Sequence, residues 1–144
     1  MRRLPVLFMF LLLFPLTLAA CGGDGDKESA GAEGATLDCR ADAYKGDPGL
    51  PANFPTPAEF TVTSSTKEGP TTVVVGYWES GLDEAYNEWK DQVEEAGFDV
   101  TFDEKEDRDA EVAYKGSGKT GIVQLRDRCN EDEVTYVRIT SRPE

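Results

Sequence analysis

The sequence predicts a single α+β domain, a mostly antiparallel curved sheet in the order β-β-α-β-β-β-β with one amphipathic helix packed on its concave face. Three observations predict it. Residues 60–65 and 71–79 form a pair of strand-like segments, and four more such segments, separated by polar turns, close the chain. Between the two groups, one stretch carries apolar residues at helical spacing. A lone helix and a sheet each have an apolar face to hide, and the simplest solution is to lay one across the other.

The elements follow in order. Phe60-Thr61-Val62-Thr63-Ser64-Ser65 alternates apolar with polar, as a half-buried strand does. Lys67-Glu68-Gly69-Pro70 turns the chain, and residues 71–79 (TTVVVGYWE) are β-branched and aromatic. Ser80 is placed to cap the helix, with Asp83 three residues on imitating a capping box. Leu82, Ala85, Tyr86, Trp89, Val93 and Ala96 recur at spacings of three and four and share one face. Gly97 supplies the left-handed stop. Residues 98–103, 110–115, 120–126 and 134–140 complete the strands. Tyr77 and Trp78 are neighbours on a strand, so they point to opposite faces and one of them looks away from the helix.

Ahead of this body lies a proline arm, residues 47–57, that fits neither helix nor central strand, because proline lacks the N–H and biases its predecessor to extended geometry. Leu50 and Phe54 are its expected apolar anchors, and the arm is the expected cover for the outward aromatic, a partner or ligand being the alternative. Residues 22–36 are Gly, Ala, Ser, Asp, Glu and Lys with almost no apolar content, the composition of a disordered tether. Such a chain spans roughly 20 Å, beyond the ~8 Å Debye length at physiological salt, long enough to hold an acidic domain clear of an anionic membrane.

Motifs that tempt a catalytic or metal assignment weaken on inspection. Gly116-Ser117-Gly118-Lys119-Thr120 lacks the upstream glycine of a phosphate loop and joins two strands, so it reads as a hairpin turn. Residues 103–109 and 127–133 are acidic runs without the glycine and alternate ligands of a calcium loop; solvated turns are the plain assignment, with weak calcium binding the alternative. Histidine is absent, which removes the commonest general base and transition-metal ligand. The expectation is a protein without cofactor or catalytic residues.

The N-terminus carries Arg2 and Arg3, an apolar run to Ala20, and then Leu18-Ala19-Ala20-Cys21. The run is too short for an ordinary membrane span. Leu-Ala-Ala-Cys resembles the lipobox of bacterial lipoproteins. That resemblance implies a signal peptide over residues 1–20, cleavage after Ala20, and diacylglyceryl (palmitate-type) lipidation of Cys21. It implies an extracytoplasmic location on the cell membrane. Residues 21–36 then form the lipidated tether and residues 37–144 the folded domain; an uncleaved anchor helix is the alternative. In that oxidising compartment the two remaining cysteines, Cys39 and Cys129, most simply form a disulfide, two buried free thiols being the alternative. More broadly, the tether, the Leu50-Pro51-Ala52-Asn53-Phe54-Pro55-Thr56-Pro57 arm and the helix end Glu94-Glu95-Ala96-Gly97-Phe98 resemble small lipoproteins of high-GC Gram-positive bacteria. The strand order is similar to that of helix-grip domains in envelope lipoproteins.

Charge narrows the partners. Of 15 basic residues two, Arg2 and Arg3, precede Cys21, and none of the 28 acidic ones does, so the remainder carries 13 against 28, a net −15. So acidic a chain repels nucleic acid and anionic lipid headgroups, and nucleic acid is an improbable partner. Two function classes follow: a non-enzymatic interaction module that meets an envelope protein or polymer, or a carrier or sensor of a small apolar ligand held between helix and sheet.

Overall fold

The computed structural model describes residues 36–144, so the expected signal peptide, Cys21 and all of the tether before Thr36 lie outside the described residues. Strands β1 (Phe60–Glu68) and β2 (Thr71–Trp78) form a hairpin, helix α1 (Leu82–Glu95) follows, and β3 (Asp99–Lys105), β4 (Asp109–Gly116), β5 (Lys119–Arg126) and β6 (Thr135–Pro143) form a meander. The architecture is α+β, with the strand and helix order that the sequence predicts. All five pairings are antiparallel, the sheet order is β1-β2-β6-β5-β4-β3, and the sheet does not close.

The long-range step is β6, which inserts between β2 and β5. The chain therefore leaves β2 and returns at β3, four strands away. Fourteen helical residues cover about 21 Å at 1.5 Å each. Four strand spacings come to about 19 Å. The helix is thus about as long as the distance between the two strands it connects.

The apolar helix residues Leu82, Ala85, Trp89 and Val93 are buried, as their spacing predicts. They share one core with Val74 and Trp78 of β2, Val137 and Ile139 of β6, Val123 and Leu125 of β5, and Ala110, Val112 and Tyr114 of β4. Trp89 sits at its centre, with ring centroids 5.2 Å from Phe60, 5.5 Å from Trp78 and 6.0 Å from Phe54.

Three local expectations are corrected. Ser80 does not cap the helix. The cap position is Gly81, in extended conformation, and no side chain caps the first turn. Ser80 stands one residue too early for its hydroxyl to reach the free N–H groups, and its carbonyl accepts a 2.8 Å bond from Thr135 Oγ1 instead. Asp83 and Glu84 still offset the positive helix end. Secondly, the proline arm covers the helix side of the sheet rather than the far side. Phe54 packs at 4.7 Å from Tyr114 and 5.5 Å from Phe98, inside the main core. Asn53 fastens the arm, donating to Ala96 O at 3.0 Å and accepting from Ser117 Oγ at 2.9 Å. Thirdly, the aromatic that looks away is Tyr77, and its cover is a second small cluster of Leu37, Cys39, Cys129, Val134 and Tyr136.

The helix ends as expected. Gly97 has φ +83°, its N–H donates to Glu94 O, and the Phe98 N–H donates to Val93 O at 3.1 Å. That is the double closure of a Schellman motif, in which the left-handed residue costs glycine nothing.

Tyr114 gives the core a titratable group. Its ring is wholly buried and its hydroxyl donates to Thr140 O at 2.9 Å. Burial pushes its pKa up to about 12, with a smaller opposing effect from Ser141. The folded value lies above the ordinary 10, so this contribution is complete below pH 10 and disappears as pH rises toward 12. Two units correspond to about 2.7 kcal/mol. Denaturant midpoints followed from pH 9 to 12 are expected to fall more steeply for wild type than for Tyr114→Phe. At neutral pH that variant loses one hydrogen bond, about 1 kcal/mol. Parallel alkaline profiles would remove Tyr114 as the cause.

Candidate functional site: an acidic end beside the start of the helix

Antiparallel register brings six chain segments to one end of the sheet. Phe60 and Thr135 both pair with Trp78, Tyr136 pairs with Arg126, Asp109 also pairs with Arg126, and Ala110 pairs with Lys105. The residues just beyond these termini therefore converge: Glu59 before β1, Glu79 after β2, the first turn of α1, Asp107 between β3 and β4, and Asp127 and Glu133 between β5 and β6.

Two open depressions lie there. One, of about 460 Å³, is lined by Asp83, Glu84, Asp107, Asp127 and Glu133 together with Gly81, Leu82, Val134 and Thr135. The other, of about 220 Å³, is lined by Glu59, Glu79, Glu84, Glu88 and Glu133 together with Trp78 and Ser80. They share Glu84 and Glu133, so eight different carboxylates line the pair and no basic residue does.

Basic side chains reach three of these carboxylates from the rim. Lys105 meets Asp83 at 2.6 Å, Arg40 meets Glu79 at 2.9 Å and Arg108 stands 3.8 Å from Asp127. Exposed pairs of this kind contribute at most about 1 kcal/mol each. Among the described residues, Glu59, Glu84, Asp107 and Glu133 have no basic partner within 4.0 Å. Glu133 also holds a left-handed backbone, φ +57°, unusual for a residue with a side chain. Among the described residues no three carboxylates are grouped as a metal ion would need. The arrangement offers repulsive, well-hydrated negative charge over a wide mouth, and what it can do is attract cationic groups.

A second polar cluster ties the helix to β3. Asp103 accepts hydrogen bonds from the Tyr86 hydroxyl and, at 2.9 Å, from Lys90 Nζ. The Tyr86 hydroxyl, and after it Lys90, holds the Asp103 carboxyl below its ordinary pKa, while the same contact raises that of Tyr86. Neither depression includes it; the two hydrogen bonds link α1 to β3.

The residues singled out in the sequence fall out as follows. Cys39 and Cys129 are bonded, with Cα atoms 5.5 Å apart. Cys21 lies outside the described residues. Ser117 and Gly118 are the two residues of the β4–β5 hairpin turn, both with positive φ. The acidic runs are not separate sites: Asp107 of one, and Asp127 and Glu133 of the other, line the same depression. Glu59, Glu79 and Glu84 were not singled out, since each is an ordinary exposed acid in its own stretch and only the sheet register gathers them. Compared with family models, with curated proteins and with solved structures, the chain matches none.

Proposed function

We propose that this chain is a non-enzymatic interaction module, held to the outer side of the cell membrane by lipid on Cys21, that presents its acidic end to a basic envelope protein or polymer. The observation that carries it is the convergence of eight carboxylates from six segments on two adjoining depressions without a basic lining residue. In this reading α1 lies across one face of the curved sheet, and its acidic first turn forms one wall of the mouth. Opposite charge over such an area raises association rates and makes them sensitive to salt. Filling of the space between helix and sheet by Trp78, Trp89, Phe54, Phe98 and Tyr114 weighs against the carrier alternative.

Two measurements test it. The anchor is tested with labelled lipid precursor fed to cells making wild type or Cys21→Ser; label is expected in wild type only, and equal label in both would sink the anchor. The acidic end is tested by capture from solubilised envelope at low and high salt, with Glu84→Gln/Asp107→Asn/Glu133→Gln against Asp91→Asn/Glu94→Gln/Glu95→Gln, which removes the same charge elsewhere on the domain. A basic partner is expected to be retained at low salt and lost with the first triple only. Equal retention by both triples would mean that the acidic end is not the contact. Native mass spectrometry showing a stoichiometric small molecule would replace the module with a carrier.

A further inference from the structure

We propose that the sheet face turned away from α1 is the surface that rests on an anionic bilayer, an inference that depends on the lipid-anchored reading above. The residues of this face are fixed by register. Arg126 of β5 and Arg138 and Arg142 of β6 alternate with core residues and so point outward. Arg40 and Arg128 lie over the rings of Tyr77 and Tyr136 on the same side, at 5.9 and 5.8 Å. Five of the six arginines among the described residues are therefore here, while α1 on the other side carries six acidic residues and one lysine. The guanidinium fork matches phosphate oxygens and is weakly hydrated, which suits it to lipid headgroups.

Between Arg142 and Arg138 an apolar row crosses the sheet in register: Phe102, Ala113, Ile122, Thr140 and Val73. Phe102, at its end, is 51% exposed. An apolar row that runs from outward arginines on β6 to an exposed aromatic on the edge strand β3 has the mixed composition of an interfacial surface. The acids of this face are Glu68 at the end of β1 and, on its β3–β4 side, Asp99, Glu104, Asp109 and Glu111; the arginines hold the β5–β6 centre between them. Glu111 accepts from Gln124 Nε2, whose Oε1 in turn accepts from Arg138.

The position of the chain's N-terminal side decides the occupant. The Leu37 N–H donates to Arg128 O at 2.7 Å, and Leu37 packs with Tyr77 and Tyr136, so the described chain begins at this face. With the tether that the composition predicts, a lipid on Cys21 would be within about 20 Å of it. Tethering at that length makes a weak contact effective. The net negative charge does not decide the matter, because charges more than ~8 Å from the bilayer are largely screened. The acidic helix is a full layer, about 10 Å, behind the sheet.

The test uses the chain from Cys21 onward, which keeps all of the described residues 36–144. With the disulfide formed, its one free thiol is coupled to a maleimide lipid in vesicles of phosphatidylcholine alone or with an equal part of phosphatidylglycerol. Hydroxyl-radical labelling is then read at Phe102 and, as internal control, at Tyr44, which is 41% exposed and precedes the arm, its N–H bonded to Val62 O of β1. Phe102 labelling is expected to fall by about threefold or more on the anionic vesicles only, as headgroups exclude water from it, while Tyr44 is unchanged. Arg126→Gln/Arg138→Gln/Arg142→Gln should restore the labelling, and Lys45→Gln/Lys67→Gln/Lys119→Gln, with the same net charge, should not. Circular dichroism checks that both triples fold. Equal Phe102 labelling on the two vesicle types, or the same response from both triples, would overturn the proposal. Chemical coupling bypasses processing in the cell, so failure of the anchor reading shows separately, as unlabelled Cys21 in the precursor experiment.

Discussion

Trp89→Ala is expected to lower the stability of the domain by about 3–5 kcal/mol, the cost of a lost large side chain plus the cavity it leaves. The indole is fully buried and touches aromatic rings from three different segments, Phe54 of the arm, Phe60 of β1 and Trp78 of β2. No single neighbour can relax into the space without leaving another contact, so the cavity term stays near its upper range. The indole N–H has no hydrogen-bond partner among the described residues. An unmet buried donor carries a penalty of about 1–3 kcal/mol. Trp89→Phe, which removes that donor and keeps a ring, is therefore expected to cost much less than Trp89→Ala. Glu88→Ala, one residue earlier on the exposed side, should stay within about 0.5 kcal/mol of wild type. Urea melts of the three variants check the order. Similar midpoints for Trp89→Ala and Glu88→Ala would mean that the helix is rotated from the orientation described.

The helix face was readable because its signal is local: of the six residues set by spacing alone, Leu82, Ala85, Trp89 and Val93 are buried and Tyr86 and Ala96 are half-buried against the same core. The strands were readable for the same reason, although β1 runs to Glu68 and β6 to Pro143, past the limits of their apolar patterns. Pairing with an existing neighbour carries a polar strand end along: Glu68 is held opposite Thr71 and Pro143 opposite Lys119. Ser80 misled because a cap depends on one residue of phase, which the apolar spacing does not resolve. Phe54 misled for a different reason. Its side of the sheet is decided by Asn53, which bonds to Ala96 and Ser117, contacts 43 and 64 residues away that leave no mark in the arm itself. The acidic end is the extreme case. Its carboxylates come from six segments, and only the insertion of β6 beside β2 brings Glu133 next to Glu59, Glu79 and Glu84.

Breaking the Cys39–Cys129 bond is expected to cost about 4–5 kcal/mol, from the loss of chain-entropy restraint over a separation of 90 residues. Typical domain stability is only about 5–15 kcal/mol, so this is a third or more of many such totals. The bond also does a local job. Leu37 and Cys39 lie against Tyr77, Val134 and Tyr136, and among the described residues Leu37 makes two backbone bonds, to Arg128 O at 2.7 Å and from Asn130 N at 2.8 Å. Residues 36–40 begin the described chain and have no strand neighbour beyond the bridge at Cys129. Without the bond they are expected to peel away and uncover both tyrosines. The two contributions separate by experiment. Intact mass of the unreduced domain should lie two hydrogens below the dithiol form. Cys39→Ser/Cys129→Ser should lose the full amount in a denaturant melt, and wild type in reductant should lose the same. Hydrogen exchange of the double variant should then rise first at Leu37 and Asn130, before the sheet opens. A loss below about 1 kcal/mol would contradict the loop-closure account. Two alkylatable thiols in protein from an oxidising host would show that the pair does not form there.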